Sequence, residues 1–162
     1  MPRLCTSLAV VAALSCAGAS DLSNGLPGER LPSLRKLLKE GQLPLRILET
    51  HSGLTGLIAE HARGANGEAF DGMWSSSLTA SAVKGKPDIE TVDTTARLAL
   101  VQETLSVTSK PMIYDADTGG AAEIFKFTVR SLEQLGVSAC IIEDKTGLKQ
   151  NSLFGTDLRK RL

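Results

Sequence analysis

Residues 137–155 read Val-Ser-Ala-Cys-Ile-Ile-Glu-Asp-Lys-Thr-Gly-Leu-Lys-Gln-Asn-Ser-Leu-Phe-Gly, and the way this stretch divides decides the fold class. Its opening run, 137–142, is short and apolar, the pattern of a strand buried on both faces. From Glu143 onward the chain turns polar, admits glycine and carries groups that ionise or donate hydrogen bonds. A buried strand that ends in a carboxylate and opens into such a loop is the arrangement in which α/β proteins place their chemistry.

Upstream the same pattern recurs. Residues 121–135 predict a helix with Phe125, Val129 and Leu132 on one face and Gly136 as its stop. Residues 111–115 predict a third strand, preceded by a helix over 89–105 with Ile89, Val92, Ala96, Ala99 and Leu100 at helical spacing. Residues 69–74 predict a second strand with a long polar loop after it, and residues 46–51 a first strand followed by a helix over 54–62. Residues 32–40, with Leu34, Leu37 and Leu38, predict a short amphipathic helix, and the Gly, Pro, Ser and Asn of 20–30 read as a linker. Repeating strand and helix units imply parallel strands joined by right-handed crossovers, either in a barrel or in an open doubly wound sheet. An eight-stranded barrel takes about 250 residues. A barrel reading therefore makes this chain half of one, whereas an open four-stranded sheet suits its length.

Composition narrows the function. The 162 residues are 42% hydrophobic and carry 18 basic against 18 acidic side chains, the balance of a soluble globular domain without electrostatic specialisation. One Trp, one Tyr and four Phe, with no basic patch among them, give nucleic acid neither phosphate neutralisation nor a stacking platform. Arg159, Lys160 and Arg161 read as a solvated tail. Residues 1–19 differ in kind: Arg3, an apolar segment over 8–14, and Ala17 with Ala19 at an Ala-x-Ala spacing look like a secretory signal, too short to span a membrane, and suggest secretory or organellar targeting. Cys5 and Cys16 fall in that segment. Cys140 is then left alone in a strand expected to be buried, which excludes a disulfide framework and a cysteine metal cluster.

In either architecture the strand ends share one face, so the residues just beyond them converge. They are Trp74, Ser75, Ser76 and Ser77 after the second strand, Asp115, Asp117, Thr118, Gly119 and Gly120 after the third, and Glu143, Asp144 and Lys145 after the fourth. Asp115 and Asp117 are two apart and point the same way in an extended chain. With Glu143 they place three carboxylates at one mouth, a repulsive set unless a cation sits among them. Oxygen donors without His or Cys favour a hard ion, Mg²⁺ or Mn²⁺, that keeps several waters. Each Asp and Gly also reads as a turn residue. Asp88 reads either as the N-cap of the next helix or as a functional group. Ser76 and Ser77 offer backbone N–H groups to an anionic ligand, and Trp74 reads first as packing. His51 and His61 have no identifiable Ser or Cys partner, so a hydrolase triad is unsupported.

These residues carry a resemblance. Asp-Ala-Asp-Thr-Gly at 115–119, Glu-Asp-Lys-x-x-x-Lys-x-Asn-Ser-Leu at 143–153, Trp-Ser-Ser-Ser-Leu-Thr-Ala-Ser at 74–81 and Glu-Thr-His-Ser-Gly-Leu at 49–54 are similar to the phosphoenolpyruvate mutases of the isocitrate lyase superfamily. The resemblance runs from residue 31 to the end of the chain, which makes 31–162 a partial barrel domain after the segment 1–19 and the linker 20–30. Asn151 falls where the isocitrate and methylisocitrate lyases carry Cys, and where the related phosphonopyruvate hydrolase tends to carry Thr.

The resemblance implies an α/β fold of the (β/α)8 TIM-barrel family, with this chain supplying the first four βα units. It implies interconversion of phosphoenolpyruvate and phosphonopyruvate with Mg²⁺, phosphonopyruvate hydrolysis being the alternative. Asp115 would bind the metal directly, with Asp117 and Glu143 holding its waters. The backbone at Ser76 and Ser77 would grip the pyruvate oxygens, Trp74 would wall the pocket and Asp88 would steer the substrate. Lys149, Asn151, Ser152 and Leu153 would lie on a closing loop, with Lys149 and Asn151 reaching the phosphoryl oxygens. Such closure suits the chemistry, because water in the pocket would divert the phosphoryl group and yield pyruvate and phosphate. The family also uses an Arg on a later strand and a His beyond it, which no residue up to Leu162 matches. The chain therefore reads as a fragment of a mutase or as a shortened, non-catalytic half-barrel that binds a partner. A homo-oligomer is implied by resemblance alone.

Overall fold

The computed structural model describes residues 25–40, 43–144 and 149–150. The signal-like segment with Cys5 and Cys16 lies outside the described residues, as do Asn151, Ser152 and Leu153. Four strands, β1 (Ile47–Glu49), β2 (Gly72–Ser75), β3 (Met112–Asp115) and β4 (Ala139–Ile141), form one sheet in the order β1-β2-β3-β4. Every pair is parallel, with Leu48 beside Met73, Trp74 beside Ile113 and Tyr114 beside Cys140. The five helices are α1 (Pro27–Glu40), α2 (Gly53–His61), α3 (Ser77–Ala82), α4 (Thr94–Leu105) and α5 (Ala122–Leu135). Each crossover advances the sheet one strand in the same direction. A doubly wound sheet reverses its strand order at a switch point and a barrel does not, so this order is that of a barrel. The described residues supply four parallel strands and the three helical crossovers between them, in the (β/α)8 barrel family.

The core lies between the strands and the helices that cover them. Met73, Met112 and Tyr114 from the sheet meet Ala59 of α2, Val101 and Leu105 of α4 and Leu132 of α5, all buried. Local chemistry sets most element ends. Ser52 caps α2 by accepting the Thr55 N–H, while the Thr55 side chain reaches back to the cap, a reciprocal capping box. Gly136 ends α5 in the left-handed region at φ 82°, as expected, and the site is doubly restrictive: a Cβ there would lie 2.6 Å from the Cα of Pro27.

Three expectations change. The segment read as a linker instead starts α1 at Pro27, because Arg30 is buried and its guanidinium donates to the carbonyls of Leu105 (3.0 Å) and Thr108 (2.6 Å). The helix expected from residue 89 starts only at Thr94, where the Asp93 side chain accepts the Ala96 N–H, and the short α3 precedes it. The last strand is not buried on both faces. Among the described residues β4 pairs only with β3, so Cys140 is exposed and Ile141 keeps 49% of its surface in solvent. No helix among the described residues is long and apolar enough to cross a membrane.

Candidate functional site at the ends of β2 and β3

β2 ends at Ser75, and the chain turns directly into α3 with Ser76 at the N-cap position and Ser77 as the first helical residue. Both serines are buried. From there Ser77 donates twice to one oxygen of Asp115 at the end of β3: its backbone N–H and its hydroxyl lie 3.1 and 2.9 Å from Oδ2. The other oxygen, Oδ1, accepts the N–H of Asp117 at 3.1 Å. Burial alone would push the Asp115 carboxyl up. The N–H groups of Ser77 and Asp117, the Ser77 hydroxyl and the Lys149 ammonium outweigh it and hold the group below the usual aspartate value.

Asp117 reaches the same site by a route that alternation in a strand does not describe. β3 has ended, and Asp117 adopts φ 54°, the left-handed conformation that Asp tolerates better than most residues. That turn buries its carboxylate between two cations. Arg97 of α4 donates through Nη1 to Oδ2 at 2.6 Å, and Lys149 donates to Oδ1. Burial holds the Asp117 carboxyl above the usual aspartate value, outweighing the downward pull of Lys149 and Arg97. With both cations in contact, it is the ionised form that the site is built to hold.

Lys149 is the hub. Its ammonium donates to Ser77 Oγ at 2.6 Å, to Asp88 Oδ1 at 2.9 Å and to Asp117, and its side chain is only 2% exposed. Burial works to lower its pKa, but the hydrogen bonds to Asp117 and Asp88 raise it, so the charged form is favoured. Asp88 is therefore a buried ion-pair partner and not the N-cap of α4, a role that belongs to Asp93. The loop that carries Asp88 is fastened to the loop after β3 by Glu90, whose Oε1 accepts the Thr118 hydroxyl at 2.7 Å.

The structure thus gathers Ser77, Asp88, Asp115, Asp117 and Lys149, with Ser76 beside them. Trp74 is 38% exposed on β2. Glu143 enters through its backbone, donating its N–H to the Asp117 carbonyl at 2.8 Å. Among the described residues no group of three acidic, His or Cys side chains is gathered as metal ligands, and Lys149 and Arg97 supply positive charge beside Asp117. The donor chemistry of Asp115 still suits a hard ion: it is ionised, it is oxygen, and its Oδ1 accepts a single hydrogen bond from the described donors, leaving a lone pair.

Two features escape the sequence reading. Arg97 also stacks on the Tyr114 ring, 4.4 Å from its centroid, a buried cation on an aromatic face. Its signal was available, since Arg97, Val101, Thr104 and Leu105 form the buried face of α4 at helical spacing, and a charge on that stripe needs a partner. The second is a chain on the β1 side: Glu49 accepts the Thr79 hydroxyl at 2.5 Å and faces His51 Nδ1 at 3.0 Å, tying β1 to α3. Only the Glu49-Thr-His part of it was legible.

Known proteins resemble this chain in sequence and fold. A family model described as phosphoenolpyruvate phosphomutase matches residues 34–160. A phosphonopyruvate hydrolase of Variovorax sp. (strain Pal2) is 34% identical over 131 residues, 80% of this chain and 42% of that protein. The crystal structure of a phosphoenolpyruvate phosphomutase from Streptomyces platensis subsp. rosaceus superposes with a TM-score of 0.71 at 32% identity, over 81% of this chain and 43% of the other. A phosphonopyruvate hydrolase in complex with oxalate and Mg²⁺ superposes with a TM-score of 0.66 at 30% identity, over 75% of this chain and 41% of the other. The chain spans less than half the length of these relatives. Because the family model matches most of the chain and the relatives are more than 30% identical, the chain belongs to the phosphoenolpyruvate phosphomutase family, within the superfamily that also holds phosphonopyruvate hydrolases.

Proposed function

We propose that this chain carries the metal-side half of the site of an enzyme that interconverts phosphoenolpyruvate and phosphonopyruvate. The observation that carries the reading is the set of Ser77, Asp88, Asp115, Asp117 and Lys149 around one point at the carboxyl ends of β2 and β3. In the forward direction the bond from phosphorus to the enol oxygen breaks, the resulting enolate presents C3, and a bond from phosphorus to carbon forms with no water consumed. Mg²⁺ at Asp115 would supply positive charge to the enolate and carboxylate oxygens of pyruvate. Ser77 fixes Asp115 for that task. Because its N–H is committed to Asp115 at 3.1 Å, the oxyanion grip first assigned to both serines falls to Ser76. Arg97 holds Asp117, and Lys149 is the cation within reach of a transferring phosphoryl group.

Asn151, by its resemblance to the mutases, favours rearrangement over carbon–carbon cleavage. Hydrolysis is the second reading, supported by the 34% identity to the Variovorax enzyme. Phosphorus NMR of the chain with phosphonopyruvate and Mg²⁺ separates the two. Phosphoenolpyruvate as product supports the mutase, inorganic phosphate with pyruvate supports the hydrolase, and an unchanged phosphonate signal overturns both for this chain.

A further inference from the structure

We propose that two copies of this 162-residue chain close one eight-stranded barrel, each copy's β4 edge pairing with the other's β1 edge and the two inner sheet faces meeting as its core. The basis is a sheet face that the helices leave uncovered. Met73, Met112 and Tyr114 turn toward the helices, where they pack with Ala59, Val101 and Leu132, and Leu48 joins them. Side chains alternate along a strand, so the residues next to these belong to the opposite face. The strand register lines that face up: Ile47 beside Gly72, Glu49 beside Trp74, Trp74 beside Ile113, Ile113 beside Ala139 and Asp115 beside Ile141. Apart from Glu49 and Asp115 at the mouth it is apolar, and among the described residues Trp74 and Ile141 keep 38% and 49% of their surface in solvent. In a closed barrel such side chains fill the interior in packed layers drawn from strands all the way round.

The edges fix the occupant. Among the described residues β1 pairs only with β2 and β4 only with β3, so one parallel sheet ends in two free edges of opposite hand. A strand that continues the sheet in parallel beyond β4 must itself offer the free edge that β1 offers. The rest of these 162 residues does not hold four more strands: the longest stretches outside the described residues, 1–24 and 151–162, are each shorter than the ~30 residues of one βαβ unit. A second copy supplies all four at once. Because four strands are half of eight, a half-turn about the barrel axis carries one copy onto the other, keeps every strand parallel and makes both seams β4 to β1. Closure removes both edges and stops growth at two copies, whereas an edge-to-edge stack that does not close keeps growing. It also sets the second copy's strand ends across the mouth from Ser77, Asp115 and Asp117.

Sedimentation equilibrium of the chain should give one species at twice its 17.1 kDa, with no growth at higher concentration. Trp74 is the one tryptophan of the sequence and reports on the inner face. Its emission should shift to the blue, and iodide should quench it less, as dilute chain is concentrated into the dimer. Ile141→Lys and Ile47→Glu put opposite charges on the two edges. Each alone should be monomeric, and an equimolar mixture should recover a dimer with one copy of each in native mass spectrometry, since one of its seams is the parent's and the other pairs the two new charges. A parent that stays monomeric, or whose mass keeps rising with concentration, overturns the closed barrel. A dimer that leaves the Trp74 emission unchanged overturns it too, because the contact then lies on the helix side. A mixture that stays monomeric, with each variant folded by circular dichroism, overturns the β4 to β1 seams. The mass and fluorescence arms use the parent alone and do not depend on either variant folding.

Discussion

At the scale of single residues, the chain concentrates its electrostatics on Asp117 and Glu60. Asp117 meets Arg97 at 2.6 Å in a buried setting, and removing one partner of a buried pair leaves an uncompensated charge. Arg97→Met is expected to cost about 3 kcal/mol in urea unfolding, with Arg97→Lys intermediate because it keeps the charge and loses the fork. An unchanged midpoint for Arg97→Met would contradict that account. Asp115→Ala removes the ionised oxygen donor, and calorimetry should then show Mg²⁺ binding lost; binding as tight as the parent's would refute the ligand assignment. Glu60 ties α2 to the turn before β3 by accepting from the Thr108 hydroxyl at 2.6 Å and the Ser109 hydroxyl at 2.9 Å. Burial pushes its carboxyl up, but the Thr108 and Ser109 hydrogen bonds outweigh it and place the folded value below the ordinary 4.5. A depressed carboxyl contributes stability that is complete above the unfolded value and is lost as pH falls through the folded one. The stability gap between parent and Glu60→Gln should therefore be full at neutral pH and shrink below about pH 4.5, as read from denaturant midpoints across pH. A gap independent of pH would show that the carboxylate charge is not what Thr108 and Ser109 recognise.

At the scale of elements, α1 is held by groups that are poorly suited to a helix and to burial. It contains Pro32 within the helix and has a buried Arg30, yet it docks because Arg30 closes onto the Leu105 and Thr108 carbonyls and because Gly136 lets Pro27 approach. Gly136→Ala should cost about 1–2 kcal/mol for the left-handed backbone alone, and more once the Pro27 contact is counted. Thermal unfolding measures it, and a loss no larger than the ~1–2 kcal/mol of the backbone alone would remove the packing part of the argument. The split between α3 and α4 is also an element-scale outcome: Asp93 supplies the cap, and the residues before it form the loop that brings Asp88 to Lys149.

At the scale of the whole molecule, four parallel strands leave β4 paired on one side among the described residues, with Ile141 49% and Ile142 48% exposed. Paired parallel strands are normally covered on both faces, and an exposed apolar edge invites association. Ile141→Lys should lower self-association of the 162-residue chain in light scattering at high concentration, without shifting its unfolding midpoint by more than about 0.5 kcal/mol. The sequence by itself determined the alternation of strands and helices, the stop at Gly136 and the residues after each strand that carry chemistry, because apolar periodicity, glycine and turn residues act locally. It also held the motifs at 115–119 and 143–153. Only the tertiary structure decided that the strand order never reverses, that Asp88 faces Lys149 and does not cap a helix, and that Arg97 shares the charge of Asp117. Those depend on which elements pack together, and a buried charge finds its partner across the fold, 20 positions away for Arg97 and 61 for Lys149, beyond the reach of any local pattern.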